Sequence, residues 1–540
     1  MQIEALIDGL GQGEAFPGGQ GEPVEVLQTH ISVLFFVGDR VYKLKKPVNL
    51  GFLDYSTLEA RKFFCEEEVR LGRELAPSVY LGVLEIREGE AGLRVGGGRG
   101  ELREYCVAMR RLPAERMMDQ LVREGALAQE QLSALVDLLV DFHKRAATGK
   151  GIDEFGVPGQ VWGNSEENFV QCRALLREDP ERGRHLRALD LLEEWSREDF
   201  EKRRGLLERR VREHRIREGH GDLHAGNICF LEEGVVIYDR IEFNLRFRCL
   251  DVASELAFLG MDLDHLGARE LSRRTMRAYA ERAGDLEMWE LLPFYKTYRA
   301  MVRAKVALFR AHEPEVPAEE RERSGQEFLR YLGLGLGYHL GRGLVLLCGL
   351  PGSGKTAVAK VLAELTGALV FHSDRIRKEQ AGLAPEQSAK AAYGEGIYGK
   401  AQNEAVYEAL LEACRAALAA KEPAPEGGEG GLVIADAGFP SRARREPFVR
   451  LAKDMAVPLL CVHLDPGWDS LERRVRVREA HGPGLSDAGL EVLRERAKTF
   501  EPPEECETGT LLRLGPPFAS LPPTEAALEI LLHAPPKDSR

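Results

Sequence analysis

G-H-G-D-L-H-A-G-N-I, Gly219 to Ile228, is the stretch that decides the first half of the fold. It contains His220-x-Asp222-x4-Asn227, and twelve residues beyond Asn227 the apolar run V-V-I-Y ends in Asp239. These residue types suit one chemistry. Asp222 can reach an acceptor hydroxyl, and Asn227 can turn back to a Mg2+ that bridges nucleotide phosphates. Asp239 can hold metal from a strand end. The competing reading is a polar turn between two strands, against which stand three polar residues at two fixed spacings. His224 has no second metal ligand at a useful spacing and reads as a side chain that organises the loop.

A second phosphate-handling signature, G-L-P-G-S-G-K-T, runs from Gly349 to Thr356. In such a loop, glycines let successive backbone N–H groups face inward and cradle phosphates at a helix N-terminus. The lysine reaches the β- and γ-phosphates, and the following hydroxyl ligates Mg2+. Gly349, Gly352 and Gly354 supply the permissive backbone, Pro351 and Ser353 lie between them, and Lys355 and Thr356 take the two chemical roles. The apolar run Leu344–Leu347 precedes the loop and the helical run Ala357–Leu365 follows it, which is the context the motif needs. Strand-like runs recur at Ala368–Phe371, Leu432–Ala435 and Pro458–Leu464 with helical stretches between them, so an α/β unit with a parallel sheet flanked by helices is expected.

Within that unit H-S-D-R-I-R-K, His372 to Lys378, follows the second strand. Asp374 and Arg377, three apart, would share a helical face beside the nucleotide, the first to accept a proton and the second to clamp an anionic group. V-I-A-D ends in Asp436, which can reach the waters of a Mg2+, and Arg442, Arg444 and Arg445 follow. The Asp-x-x-Arg arrangement resembles the P-loop small-molecule kinases of the AAA type, including zeta-toxin and polynucleotide-kinase-like domains. The resemblance covers most of Leu344 to Pro503. It implies Asp374 as general base, Arg377 as substrate clamp, and an arginine-bearing lid at Leu471–Arg478 extending through Ser486, with Arg474 and Arg478 facing the transferring phosphoryl group. A solvated basic helix is the competing reading of that lid.

The N-terminal half reads as a bilobal α+β unit. Alternating residues from Thr29 to Pro47 predict two strands turned at Gly38-Asp39. Ser56 to Leu75 reads as a helix, and Val83–Ile86 and Glu104–Met109 as strands flanking a glycine-rich patch, Arg94–Gly100. Ala126–Ala147 and Leu186–Glu213 read as helices. The spacing around Asp222 is that of the protein-kinase catalytic loop, and the unit resembles the aminoglycoside phosphotransferase family. The strings Asp239–Asn244, Leu250–Leu259, Val41–Val48 and Glu66–Leu71 resemble the bacterial variety fused to a P-loop kinase. That resemblance implies a protein-kinase-like fold in which a strand lysine holds the α/β-phosphates and pairs with a helix glutamate. Lys43 fills the first role, with Lys45 as the alternative, and Glu68 the second. Tyr105–Leu112 would be the hinge that receives adenine, and Asp251 would brace the catalytic loop from behind. No G-x-G-x-x-G precedes the lysine strand and no D-F-G or A-P-E is present, which argues against peptide substrates.

The chain has 540 residues, more than one ordinary core. Five glycines fall among the eleven residues Gly333–Gly343. Domains are therefore expected at 1–335 and 344–540, joined by a Gly-rich linker at 336–343. Pro423–Gly430 reads as a flexible insertion, and the tail after Ala534 as disordered. Net charge −13 argues against a generic polyanion binder. Nine cysteines without a C-x-x-C pair suit reduced, buried thiols, and no window approaches the ~18–20 apolar residues that span a bilayer. The expectation is a cytoplasmic, bifunctional ATP- and Mg2+-dependent phosphotransferase acting on hydroxyls of small molecules, with no membrane partner. Two alternatives stand beside it. One domain could bind nucleotide and regulate the other, or the C-terminal half could be a polynucleotide 5′-hydroxyl kinase, a reading opposed by the acidic charge and the lack of an aromatic or basic channel.

Overall fold

Ser32–Val37 and Arg40–Lys45 form the expected hairpin, with Val37 opposite Arg40 and Ser32 opposite Lys45. In this computed structural model, described for residues 3–11, 13–19, 22–90, 92–177, 183–384, 397, 399–420, 431–481, 489–505, 510–516 and 521–537, the hairpin belongs to a six-stranded antiparallel sheet. Its strands are β1 (Glu25–Gln28), β2 (Ser32–Val37), β3 (Arg40–Lys45), β4 (Tyr80–Gly89), β5 (Gly92–Val95) and β6 (Glu101–Arg110), in the order β1-β2-β3-β6-β4-β5. β1 is exposed along its whole length and carries no apolar alternation; β5 alternates, with Leu93 and Val95 buried and Gly92 and Arg94 exposed, but it is only four residues long and runs into the glycine-rich patch. The helix Leu58–Gly72 begins at Thr57, whose hydroxyl accepts the Ala60 N–H at 3.1 Å. Its Cys65 and Val69 pack on Val107 and Met109 of β6, which leaves Glu68 buried beside β3.

Below the sheet the Gly219–Ile228 loop is held by short strands and long helices. β7 (Ile216–Glu218) pairs with β10 (Cys249–Asp251), and β8 (Ile228–Leu231) with β9 (Gly234–Ile237). The helix Val252–His265 is buried through Asp264, with Gln129–Arg145 and Arg269–Ala283 packed around it. Arg210, fully buried, binds Asp251 at 2.7 and 2.8 Å and Asp285 at 2.7 and 2.8 Å. Buried charge is tolerated there because every guanidinium face meets a carboxylate.

Two compact units emerge, Met1–Trp162 with Arg204–Met288, and Gly163–Arg203 with Trp289–Arg540. The second contains a five-stranded parallel sheet of β11 (Gly343–Cys348), β12 (Leu369–His372), β13 (Leu432–Asp436), β14 (Leu459–Leu464) and β15 (Thr510–Leu514), in the order β12-β13-β11-β14-β15. This sheet and the bilobal unit give the expected α/β class for the two halves. The helices Lys355–Thr366, Lys400–Ala419, Arg442–Asp454 and Pro523–Leu531 belong to the same unit as this sheet.

The glycine-rich stretch is not a linker. Gly333 through Gly337 lie inside the helix Ala318–Tyr338 and are buried. A Cβ on Gly333 would sit 2.8 Å from Leu365 Cδ1, one on Gly337 2.2 Å from the Leu365 carbonyl oxygen, and one on Gly335 2.8 Å from Leu192. These glycines therefore let helices approach closely instead of letting the chain bend. Part of the tail is ordered as well: Gly341 N–H donates to Pro535 O at 2.9 Å and Lys537 N–H to His339 O at 2.9 Å. The Pro423–Gly430 insertion and Ser486 lie outside the described residues. Eight described cysteines are free and buried. Among the described residues no helix is long and apolar enough to cross a membrane.

Candidate active sites

At the first site, two lysines leave the same face of β3. Lys43 Nζ lies 2.9 Å from Glu68 Oε1 and 2.5 Å from Asp239 Oδ1. Lys45 Nζ lies 2.6 Å from Glu68 Oε2 and also meets Glu242, which accepts the Tyr55 hydroxyl. One glutamate thus bridges both ammonium groups. Burial opposes ionisation of Glu68, yet the two lysines bring its carboxyl down to about 2. Burial likewise opposes the charge on Lys43, and the carboxylates of Asp239 and Glu68 overcome it, holding the ammonium well above the usual lysine range. Lys45 is 1% exposed and enclosed by its partners, whereas Lys43 is 13% exposed and faces Asp239, itself 44% exposed. Of the two, Lys43 is the more exposed.

The Gly219–Ile228 loop is set from beneath. Glu255 accepts the N–H groups of His220 and, at 3.0 Å, Gly221, and lies 3.0 Å from His143 Nε2. Burial works against its charge, but the hydrogen bond from His143 and the nearby imidazoles take it to about 2. His220 Nδ1 accepts the Asp222 N–H at 3.2 Å while Nε2 lies 2.9 Å from the Tyr238 carbonyl, so the neutral Nε2–H tautomer satisfies both. Burial lowers the pKa of this imidazole. Asn227 Nδ2 donates to the Asp222 carbonyl at 3.0 Å and lies 3.3 Å from its carboxylate, leaving the amide oxygen for a cation. Asn227 O in turn accepts the Tyr238 N–H at 3.0 Å, next to Asp239. Asp239 has φ +64, a left-handed conformation costly for this residue type, and its N–H donates to Tyr80 OH at 2.9 Å.

The loop's brace was expected at Asp251, but the structure gives that task to Glu255, one helical turn later. Asp251 caps the helix instead, accepting the Ala253 N–H at 2.8 Å, and pairs with Arg210. The expected hinge is mostly strand, since Tyr105 to Arg110 belong to β6. His224 Nδ1 accepts the Gly226 N–H at 3.1 Å, and its Nε2 lies 3.5 Å from Asp222. Glu242 and Tyr55 were not foreseen. The signal for a further acid was present, because a second buried lysine on the Lys43 face requires its own carboxylate.

At the second site the loop after β11 folds as its glycines require. Gly349 has φ +147 and Gly354 φ +95, and a Cβ on Gly349 would lie 2.6 Å from the Leu464 carbonyl oxygen. Lys355 Nζ rests on the carbonyls of Gly349 (2.9 Å) and Leu350 (3.1 Å) and on Ser353 Oγ (3.1 Å). Burial lowers its pKa, and Asp436 and Asp374 only partly oppose this. Register aligns His372 with Asp436 and Asp436 with Leu347 at the carboxyl edge of the sheet, where ligands of open α/β sheets bind. Asp436 Oδ2 accepts the Thr356 hydroxyl at 2.7 Å and lies 2.7 Å from His372 Nδ1.

Asp374 is half-buried at the start of the helix Ser373–Gln380. Arg377 is buried, its Nη1 donating to the Ile397 carbonyl at 2.9 Å. Arg474 Nη1 lies 3.5 Å from the Ser353 carbonyl, over the loop, and Arg478 follows one turn on, half-buried. Pro351, Gly352 and Ser353 complete the loop. His372, which lies beside Asp436, was passed over in the sequence, as was Arg496, whose Nη1 lies 3.9 Å from the point a Cβ on Gly438 would occupy. Arg496 is more than a hundred residues from the loop, and no spacing could announce it.

The AAA domain family matches residues 344–503. The chain is 30% identical over 486 residues to the uncharacterized protein Rv2004c of Mycobacterium tuberculosis, covering 89% of this chain and 91% of that one. Among solved structures, a choline kinase from Cryptosporidium parvum aligns with 61% of this chain and 94% of its own at 10% identity and a TM-score of 0.37. Chaetomium thermophilum Kti12 in complex with ADP-AlF3 aligns with 36% and 98% at 18% identity and a TM-score of 0.26. Similarity at that level assigns no substrate. The identity to the mycobacterial protein covers 89% of this chain, so this chain belongs to its family and carries an AAA domain at residues 344–503.

Proposed function

We propose that the chain is a two-site ATP-dependent kinase, each site moving the γ-phosphoryl group of ATP to the hydroxyl of a small molecule. The observation that supports this most is the Lys43–Glu68–Asp239 chain of ion pairs beside Asp222 and Asn227, which needs residues from four separate segments. Mg2+ suits both donor sets, being a hard cation that takes oxygen ligands and needs only one or two carboxylates beside substrate phosphates. Asp239 and the Asn227 amide oxygen would hold it at one site, Thr356 and Asp436 at the other. Bound there, it neutralises charge on the phosphates.

In the N-terminal unit Asp222 takes the acceptor proton, with its carboxylate steered by Asn227 and its backbone by His220. Lys43 exchanges Asp239 for phosphate oxygens while Glu68 keeps it in place. In the C-terminal unit Lys355 leaves neutral carbonyls for phosphate, Asp374 takes the acceptor proton and Arg474 faces the developing charge. The test uses the full chain and measures ATP turnover. Lys355→Ala is expected to remove one activity and Asp222→Ala the other. Unchanged turnover in both variants would overturn the proposal. The direct Lys43–Asp239 contact favours a second reading, in which the N-terminal unit binds nucleotide and gates its neighbour. That reading requires Asp222→Ala to leave total turnover intact.

A further inference from the structure

Beside the P-loop lie two cationic groups that the proposed mechanism does not use. Arg496, on the helix Leu490–Thr499, brings Nη1 to 3.9 Å from the point a Cβ on Gly438 would occupy, a point 4.0 Å from the Gly349 carbonyl oxygen. Its charge acts on both Lys355 and Tyr407. Arg444 lies in the first turn of the helix Arg442–Asp454, its guanidinium 5.0 Å from the centre of the Tyr407 ring. The Tyr407 hydroxyl accepts the Phe439 N–H at 3.0 Å, which fixes the ring beside the segment that follows Asp436. Both arginines are half-buried, and among the described residues neither is paired with a carboxylate.

Arg445 of the same turn shows what a structural arginine does here. It is fully buried and donates to the carbonyls of Phe439 at 3.0 Å and Glu501 at 2.8 Å. Among the described residues Arg444 and Arg496 make no such contacts. A cation in the first turn of a helix opposes the helix dipole, and a second guanidinium near the P-loop lysine adds repulsion. An anion between them relieves both costs.

We infer that Arg444 and Arg496 bind an anionic group of the acceptor, so that the C-terminal site takes an alcohol already bearing a phosphate or a carboxylate. This rests on the kinase reading of that site. The reaction class supplying the substrate is then one that leaves a phosphorylated or carboxylated alcohol. Asp374 meets the free hydroxyl, and the two arginines set how far from it the anion lies.

The test loads the full chain with Mg2+ and a non-hydrolysable ATP analogue, which fills the γ-phosphate position. Inorganic phosphate is titrated in one arm and acetate in the other, followed by calorimetry. A saturable anion site is expected in at least one arm, and that arm names the anion. Arg444→Gln and Arg496→Gln should each weaken it about tenfold, the loss of a charge-assisted hydrogen bond. Arg442→Gln, an exposed neighbour, should not. Analogue binding by the variants reports that the P-loop is intact, and Arg496→Lys, which keeps the charge but not the fork, should bind with intermediate strength. No saturable site in either arm, or one that survives the double Gln variant, overturns the inference. The kinase reading fails separately, if Lys355→Ala binds as much analogue as the wild type.

Discussion

In the proposed mechanism Lys43 and Lys355 share one task in opposite surroundings. Lys43 is gripped by two carboxylates, which hold its ammonium well above the usual lysine range, whereas Lys355 rests on carbonyls and a hydroxyl, and burial lowers its pKa. The first site is assembled from charged side chains on a strand, a helix and two loops. The second is built around the backbone of eight consecutive residues, with Asp436 and Arg474 reaching it from elsewhere. A phosphate arriving at the P-loop displaces neutral contacts, while one arriving at Lys43 must compete with Asp239. The difference teaches that the charge on a phosphate-binding lysine can be secured by paired acids or left to the ligand, with different sensitivities to mutation and pH.

Glu68→Gln should separate the two most sharply. It leaves two buried ammonium groups short of a carboxylate, and breaking a buried pair costs on the order of 3–5 kcal/mol. Calorimetry should show the N-terminal unit melting earlier with the P-loop unit unmoved, and coincident shifts would break the comparison. Lys355→Ala should lower P-loop turnover by about 10²–10³-fold, the size of losing one preorganised donor, without a matching loss of stability. Gly337→Ala forces a Cβ against the Leu365 carbonyl and should cost about 1–3 kcal/mol in the second unit only. If Gly337→Ala is neutral by denaturant titration, the linker reading returns.

The pH responses should also diverge. Raising pH removes the Lys355 proton before that of an ordinary lysine, so kcat/KM of the P-loop site should fall first on the alkaline side. On the acid side, Glu68 and Glu255 are both depressed to about 2. Their stabilisation is fully present above the ordinary glutamate pKa and is lost as pH falls below it, toward about 2. Acid should therefore unfold the N-terminal unit through these two residues, and Glu68→Gln should flatten the profile. This is the smallest effect of the set.

The P-loop was legible because its function is local: loop, lysine and hydroxyl are contiguous, and the flanking strand and helix are visible in the same window. Asp222, Asn227 and Asp239 were legible for a similar reason. Glu242 was not, because its partner Lys45 lies 197 residues away and only folding brings them together. The Gly333–Gly343 stretch misled because glycine has two opposed uses, chain freedom and close approach, and composition alone does not separate them. The leucines alternating with these glycines were the usable sign, since an exposed linker has no use for them. β1 escaped notice because an exposed edge strand needs little apolar patterning, and β5 because its alternation spans only four residues.

The central claim is that one chain assembles two independent magnesium–nucleotide sites, and stoichiometry tests it most directly. Equilibrium dialysis of the full chain with Mg2+ and a non-hydrolysable ATP analogue should give two bound per chain, falling to one in Lys355→Ala. One per chain in the wild type, falling to none in Lys355→Ala, would contradict it.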